Sequence, residues 1–273
     1  AASDVYKRQR LRQKCCSLGL TNPMLEIKNL TKKYNNINAN ILAVENLDLT
    51  IQDSDFVSII GPSGCGKSTV LRLVSGLVEK SGGSILVDGK ETIGANQEKG
   101  IVFQNFSLFP WLTVKENILF GLNLKKDFSE SKKAEILNHY IEMTGLQDFR
   151  SAYPKNLSGG MQQRVAIARA LANTPKVLLM DEPFGSLDSQ TRSQMQELLT
   201  RIWEKEKMTV LFVTHDVSEA VFLSNKIILL SKRPARIKKI FDIPFSRPRN
   251  HELKKDKSFF EFVNQVQQEL ESD

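Results

Sequence analysis

Gly61–Ser68 reads GPSGCGKS, and the five residues ahead of it, Phe56–Ile60, read FVSII. A short apolar run entering a glycine-rich turn, with helical character from Ser68 to Ser75 behind it, is a strand–loop–helix unit. Gly61, Gly66, Lys67 and Ser68 stand at the G-x-x-x-x-G-K-[ST] spacing. Glycines let successive backbone N–H groups converge on one point, and the helix that follows aims its N-terminus there, which makes an anion nest. Pro62, Ser63, Gly64, Cys65 and Thr69 complete the loop. Lys67 is placed to reach terminal phosphates of a nucleotide, and the Ser68 hydroxyl to offer an oxygen to Mg²⁺.

A second stretch lies more than a hundred residues on. Val177–Glu182 reads VLLMDE, an apolar strand ending in two carboxylates. Burying such a pair is costly unless positive charge meets it. A magnesium ion answers that demand for Asp181, and Glu182 is then placed to polarise an attacking water. Pro183 and Gly185 turn the chain sharply afterwards.

Other candidates carry less by themselves. His215 follows the strand-like run Thr209–Val213, and the ends of strands are where open α/β sheets meet their ligands. Gln104 follows the run Gly100–Phe103; its uncharged amide can touch both a metal and a water. Tyr34 offers an aromatic face to a base.

Around these points the chain alternates. Met24–Leu30 and Ala43–Leu49 read as strands separated by a polar insert at Asn35–Asn40, and Ser84–Val87 reads as another. Val114 to about Arg150 turns helical, with Ser129–Met143 the clearest segment. Met161–Ala172 is rich in helix formers. Strand Val177–Met180, helix Gln190–Lys205, strand Val210–Val213, helix Val217–Leu223 and strand Lys226–Leu230 then follow. That alternation indicates a parallel sheet with crossovers. Beyond Leu253, the residues Phe259, Val263, Val266 and Leu270 form one helical stripe.

Between the two chemical stretches lies Leu157–Arg164, LSGGMQQR. With the phosphate loop and the acidic strand, it makes residues of about 24–250 resemble the ATP-binding cassettes of ABC transporters. The resemblance implies an α/β P-loop NTPase fold, with an N-terminal antiparallel β part, a mixed or parallel central sheet and a helical lobe at about 104–160. A basic leader at 1–23 and an amphipathic C-terminal helix at 251–273 flank it. It implies ATP and Mg²⁺ as ligands, with Ser68, Gln104 and Asp181 on the metal side. Glu182 becomes the catalytic carboxylate, Gln104 the Q-loop residue, His215 the switch histidine and Tyr34 the adenine-stacking residue. Ser186, Leu187 and Asp188 match the D-loop. Ser158, Gly159 and Gly160 would grip ATP held by a second cassette, so two chains should close head to tail.

The same resemblance implies integral membrane permease subunits as partners and, indirectly, a periplasmic or lipoprotein solute-binding protein. Phe109, Pro110 and Trp111 would frame the permease groove, and the location would be peripheral, on the cytoplasmic face of a bacterial membrane. The runs Leu108–Val114, Met180–Asp188 and Phe241–Arg249 are similar to importers of nitrate, sulfonate, taurine or bicarbonate. Exporters share the cassette, and soluble cassettes acting on nucleic acid or ribosomes are a further class. Those soluble chains usually hold two cassettes or a long coiled coil, and neither pattern occurs here.

Composition fits this picture. The net charge of +7 is unevenly placed. Lys7, Arg8, Arg10, Arg12 and Lys14 face Asp4 alone in the leader, so the body has too small a surplus to argue for nucleic acid. No apolar run approaches the ~20 residues of a membrane span. Cys15, Cys16 and Cys65 fit neither a disulfide framework nor a zinc site, a pattern usual in reducing compartments.

Overall fold

The computed structural model describes residues 23–36, 39–125 and 128–272. The leader anticipated over 1–23 therefore lies, except for Pro23, outside the described residues. Strand β1 (Leu25–Asn36) and β2 (Ala39–Ile51) form a long antiparallel hairpin, and β1 also pairs with β4 (Gly82–Val87). The short β5 (Lys90–Glu91) completes a four-stranded antiparallel sheet.

Five parallel strands make the centre of the molecule. They are β3 (Phe56–Ile60), β6 (Lys99–Val102), β7 (Val177–Asp181), β8 (Thr209–Val213) and β9 (Lys226–Leu230). β10 (Ile237–Asp242) adds an antiparallel edge, giving the order β10-β9-β3-β8-β7-β6. β3, β7 and β8 are buried along their whole length. A strand covered on both faces has no polar face to alternate, which is why these segments read as continuous apolar runs.

The two faces carry different layers. Phe56, Leu178, Met180, Val210, Phe212, Ile227 and Leu229 point into one core. That core also takes side chains from helices α2 (Val114–Asn123), α3 (Glu130–Thr144), α4 (Gly159–Ala172), α5 (Ser189–Glu206), α6 (Val217–Leu223) and α7 (Lys257–Glu271). Their alternates Val57, Ile59, Val177, Leu179, Leu211, Val213 and Ile228 face a second core shared with the hairpin and with α1 (Lys67–Ser75).

Two expectations change and one holds. The insert Asn35–Asn40 is largely strand: Tyr34 pairs with Ile41, Asn35 with Asn40 and Asn36 with Ala39, so the hairpin itself is longer. The helical run read from Val114 does start there, after a loop from Gln104 to Thr113, and a Thr113–Glu116 box caps it. The C-terminal helix does not begin at His251. His251–Lys255 is a 3₁₀ turn and α7 starts at Lys257, burying Phe259 and Val266.

Candidate functional site

The order β3-β8-β7-β6 sets the site. Adjacent strands lie about 4.8 Å apart, so the C-terminal ends of these four parallel neighbours fall along roughly 14 Å of one sheet edge. β3 runs into the phosphate loop, β8 stops two residues before His215, β7 ends on Asp181 and β6 stops two residues before Gln104. Residues far apart in sequence are brought together because crossovers return each strand in the same direction.

The loop is held open by close packing. Gly66 has φ +123°, and a Cβ there would stand 3.0 Å from the Ala43 carbonyl and 3.1 Å from the Ala235 methyl. Gly64 has φ +72°, and its carbonyl accepts from Arg233 Nη2 at 2.9 Å. Cys65 is buried, and burial raises its thiol pKa. Lys67 bends back and donates to the carbonyls of Gly61 at 2.8 Å and Pro62 at 3.0 Å.

At the end of β7, Ser68 Oγ donates to Asp181 Oδ1 at 2.9 Å. Asp181 is buried, and desolvation raises its pKa against the opposing Ser68 bond and the nearby Arg72 and Lys67. Glu182 takes φ +44°, its N–H donates to Val213 O at 2.9 Å, and its Oε2 lies 2.9 Å from His215 Nδ1. Nδ1 can donate to that carboxylate, and the ring is largely exposed. Gln104 lies against the turn that follows Glu182. A Cβ on Gly185 would lie 3.1 Å from Gln104 Nε2, and Gly185 N–H donates to Glu182 O at 3.1 Å.

Ser158, Gly159, Gly160 and Asp188 form a second group. Ser158 caps α4 by accepting Met161 N–H at 3.3 Å. Gly159 lies against Leu187, and Gly160 is packed so closely that a Cβ would stand 2.5 Å from Thr191 Cγ2. Asp188 caps α5, and hydrogen bonds from Thr191 and Gln190 hold its carboxyl below the usual range. Tyr34 sits near the hairpin tip, half-buried, with Lys32 Nζ 4.8 Å from the ring centroid on one face.

An aromatic element stands apart from both groups. Phe109 contacts Trp111 at 5.7 Å and Phe120 at 4.3 Å between centroids, while Trp111 is 69% exposed. The Asn117 amide ties down the loop through Phe109, Leu112 and Thr113, and Arg169 through Ser107 O.

Sequence reasoning missed some neighbours of this site. Arg72 stands four residues after Ser68 on α1, and that spacing could have found it. Arg233 and Thr214 had no such signal. Among the described residues, no helix is long and apolar enough to cross a membrane.

Residues 44–185 match the model of the family described as ABC transporter. An uncharacterised ABC transporter ATP-binding protein of Methanocaldococcus jannaschii is 47% identical over 247 residues, 90% of this chain and 88% of that one. An aliphatic sulfonates import ATP-binding protein of Bacillus anthracis is 44% identical, over 90% of this chain and 96% of that one. A solved dimeric ATP-binding cassette bound to ADP and Pi is 36% identical, with TM-score 0.72 over 82% of this chain and all of that one. With the phosphate loop, the acidic strand end and the LSGGMQQR segment at the start of α4 set on one matching fold, the chain belongs to the ABC transporter family, as one of its ATP-binding ATPases.

Proposed function

We propose that this chain is the ATP-hydrolysing subunit of an importer for small anions of the sulfonate, taurine, nitrate or bicarbonate type, working as a head-to-tail pair of cassettes beneath membrane permease subunits. The convergence of Ser68, Asp181, Glu182 and His215 at neighbouring strand ends carries the hydrolytic part. The likeness to the Bacillus aliphatic sulfonates import protein along nearly its whole length supports the import part.

In this reading the loop amides from Gly61 to Thr69 cradle the phosphates, and Lys67 exchanges the Gly61 and Pro62 carbonyls for phosphate oxygens. Among the described residues no three His, Cys, Asp or Glu side chains could hold a metal by themselves. The all-oxygen set of Ser68, Asp181 and Gln104 suits Mg²⁺, which takes most of its ligands from phosphate and water. When bound, that ion neutralises charge on the phosphate oxygens. Glu182 orients and deprotonates the attacking water, and His215 supports it through Nε2. Tyr34 offers an aromatic face to adenine.

Ser158, Gly159, Gly160 and Asp188 act on nucleotide bound to the second cassette. The solved cassette of matching fold is a dimer, which supports that arrangement. The exposed Trp111 beside Phe109 and Phe120 gives the permease an apolar foothold; such patches commonly mark interaction sites. On this reading the chain works peripherally on the cytoplasmic face, with a periplasmic or lipoprotein binder selecting the solute.

The test is transport. Vesicles holding the chain with the permease encoded beside it, and supplied with the neighbouring solute-binding protein, should accumulate a labelled sulfonate, taurine, nitrate or bicarbonate only with ATP inside or on the cassette side. Accumulation of none of these anions, or net movement in the opposite direction, would overturn the import reading.

A further inference from the structure

The loop that carries His215 is held from beneath by the C-terminal segment. α6 begins just after His215, and Asp216 caps it by accepting Glu219 N–H at 3.0 Å. At its far end, Arg249 Nη1 donates to the carbonyls of Val221, Phe222 and Ser224 at 3.0, 3.0 and 2.8 Å. Two residues on, His251 stacks on Phe222 with centroids 5.3 Å apart and rings 3° from parallel, and its Nε2 lies 2.7 Å from Ser193 O on α5.

Lys254 then starts a chain of bonds that runs back to the switch. Its Nζ donates to Gln196 Oε1 at 2.6 Å. Gln196 Nε2 donates to Glu219 Oε1 at 3.0 Å. The other oxygen of Glu219 accepts the Thr214 hydroxyl, and Thr214 Oγ1 accepts Asp216 N–H at 3.1 Å. Thr214 and Asp216 flank His215 on either side.

The chemistry of each link makes the chain directional. Gln196 and Glu219 are buried, and a buried carboxylate needs each oxygen met. An amide can turn either its carbonyl or its NH₂ toward a neighbour. An ammonium only donates, so Lys254 fixes the carbonyl on its own side and the NH₂ on the Glu219 side. The Glu219 carboxylate only accepts and favours the same orientation, so without Lys254 the Gln196 carbonyl loses its charged partner and the hold of the chain on Glu219 and Thr214 weakens.

We propose that Lys254 is a positioning residue for ATP hydrolysis, acting on His215 through Gln196, Glu219 and Thr214 without touching nucleotide. The proposal rests on the role given to His215 above. It makes residues 249–255 a clamp on the catalytic loop rather than a simple tail.

The test uses the purified full chain and steady-state ATP turnover with Mg²⁺. Lys254→Met should lower kcat about 3- to 10-fold with KM for ATP within about twofold of the parent, since geometry rather than binding is disturbed. Lys254→Arg, which keeps a donor, should recover most of that loss. In a His215→Ala background, Lys254→Met should change the residual rate by less than about 1.5-fold, because coupled residues are not additive. Gln196→Met breaks the same chain at the next link and should repeat the pattern, which keeps the test valid if Lys254→Met fails to fold.

A parental kcat for Lys254→Met, or the same proportional loss with and without His215, overturns the proposal. A parental rate for His215→Ala sinks the His215 reading and this inference with it. A parental rate for Lys254→Met beside an inactive His215→Ala sinks the inference alone.

Discussion

Ser68 Oγ and Asp181 Oδ1 share a hydrogen bond of 2.9 Å across 113 positions of sequence, joining the first turn of α1 to the last residue of β7. The bond opposes a cost. Desolvation raises the Asp181 pKa, and only in part do Ser68, Arg72 and Lys67 counter it. For a carboxyl raised on folding, the ionised form is penalised above its folded pKa and the penalty disappears below the unfolded one. Asp181→Asn removes that charge. Its ATP turnover should fall by at least about a hundredfold. Its melting temperature without nucleotide should be equal to or above the parent's, and a clear drop would contradict the sign of the shift.

Glu182 holds its backbone at φ +44° and points Oε2 at His215 Nδ1 from 2.9 Å. A left-handed backbone at a non-glycine residue is uncommon and costs free energy, so the surrounding structure must fix it. Glu182→Gln keeps the shape and the contact to the ring but cannot take a proton. Turnover should fall about 10²- to 10⁴-fold. Nucleotide binding should persist, and gel filtration with ATP should show a stable dimer that the parent forms only transiently. Turnover at the parent rate would remove Glu182 from the role of base.

The part of the fold legible in sequence is the part buried on both faces. VLLMD, TVLFV and KIILL announce β7, β8 and β9 because, apart from the end residues Asp181, Thr209 and Lys226, every position in them is apolar and buried. β10, IKKIFD, lies on the edge and exposes Lys239 and Ile240, so its pattern resembles any loop. The outer half of β1, with Lys32, Lys33 and Asn35, is polar for the same reason, and only its partner β2 reveals it as strand. The site divides likewise. Gly66, Lys67 and Ser68 are local, since one tight turn demands all three. Gln196, Glu219 and Lys254 meet only after folding, across separations of 23 and 58 residues, and no local period encodes their meeting.

Gly160 lies against Thr191, with a hypothetical Cβ 2.5 Å from Thr191 Cγ2. Non-bonded carbons do not sit so close, so either Thr191 must turn or α4 and α5 must separate to admit it. Gly160→Ala should lose about 1–3 kcal/mol of stability by overpacking. Thr191→Ser removes the methyl that blocks the site, so the double variant Gly160→Ala/Thr191→Ser should regain most of that loss in urea unfolding. Equal destabilisation of the single and double variants would mean that the contact with Thr191 is not the cause.

His139 on α3 and Glu206 at the end of α5 tie these two helices together, with Nε2 and Oε1 2.8 Å apart. The hydrogen bond to Glu206 raises the His139 pKa, and burial opposes it more weakly. A histidine whose folded pKa stands above its unfolded value of about 6.5 stabilises fully below that value, and the contribution fades as pH climbs through the folded pKa. The imidazole is half exposed, so solvent screening keeps the effect below about 1 kcal/mol. His139→Gln should therefore shift the urea midpoint downward at pH 5.5 and by distinctly less at pH 8.5. Glu206→Gln should follow the same course, since either substitution removes the pair. An equal loss for His139→Gln at both pH values would show that His139 supports α3 by packing on Tyr140, whose ring lies 4.9 Å away edge-on, and not by charge.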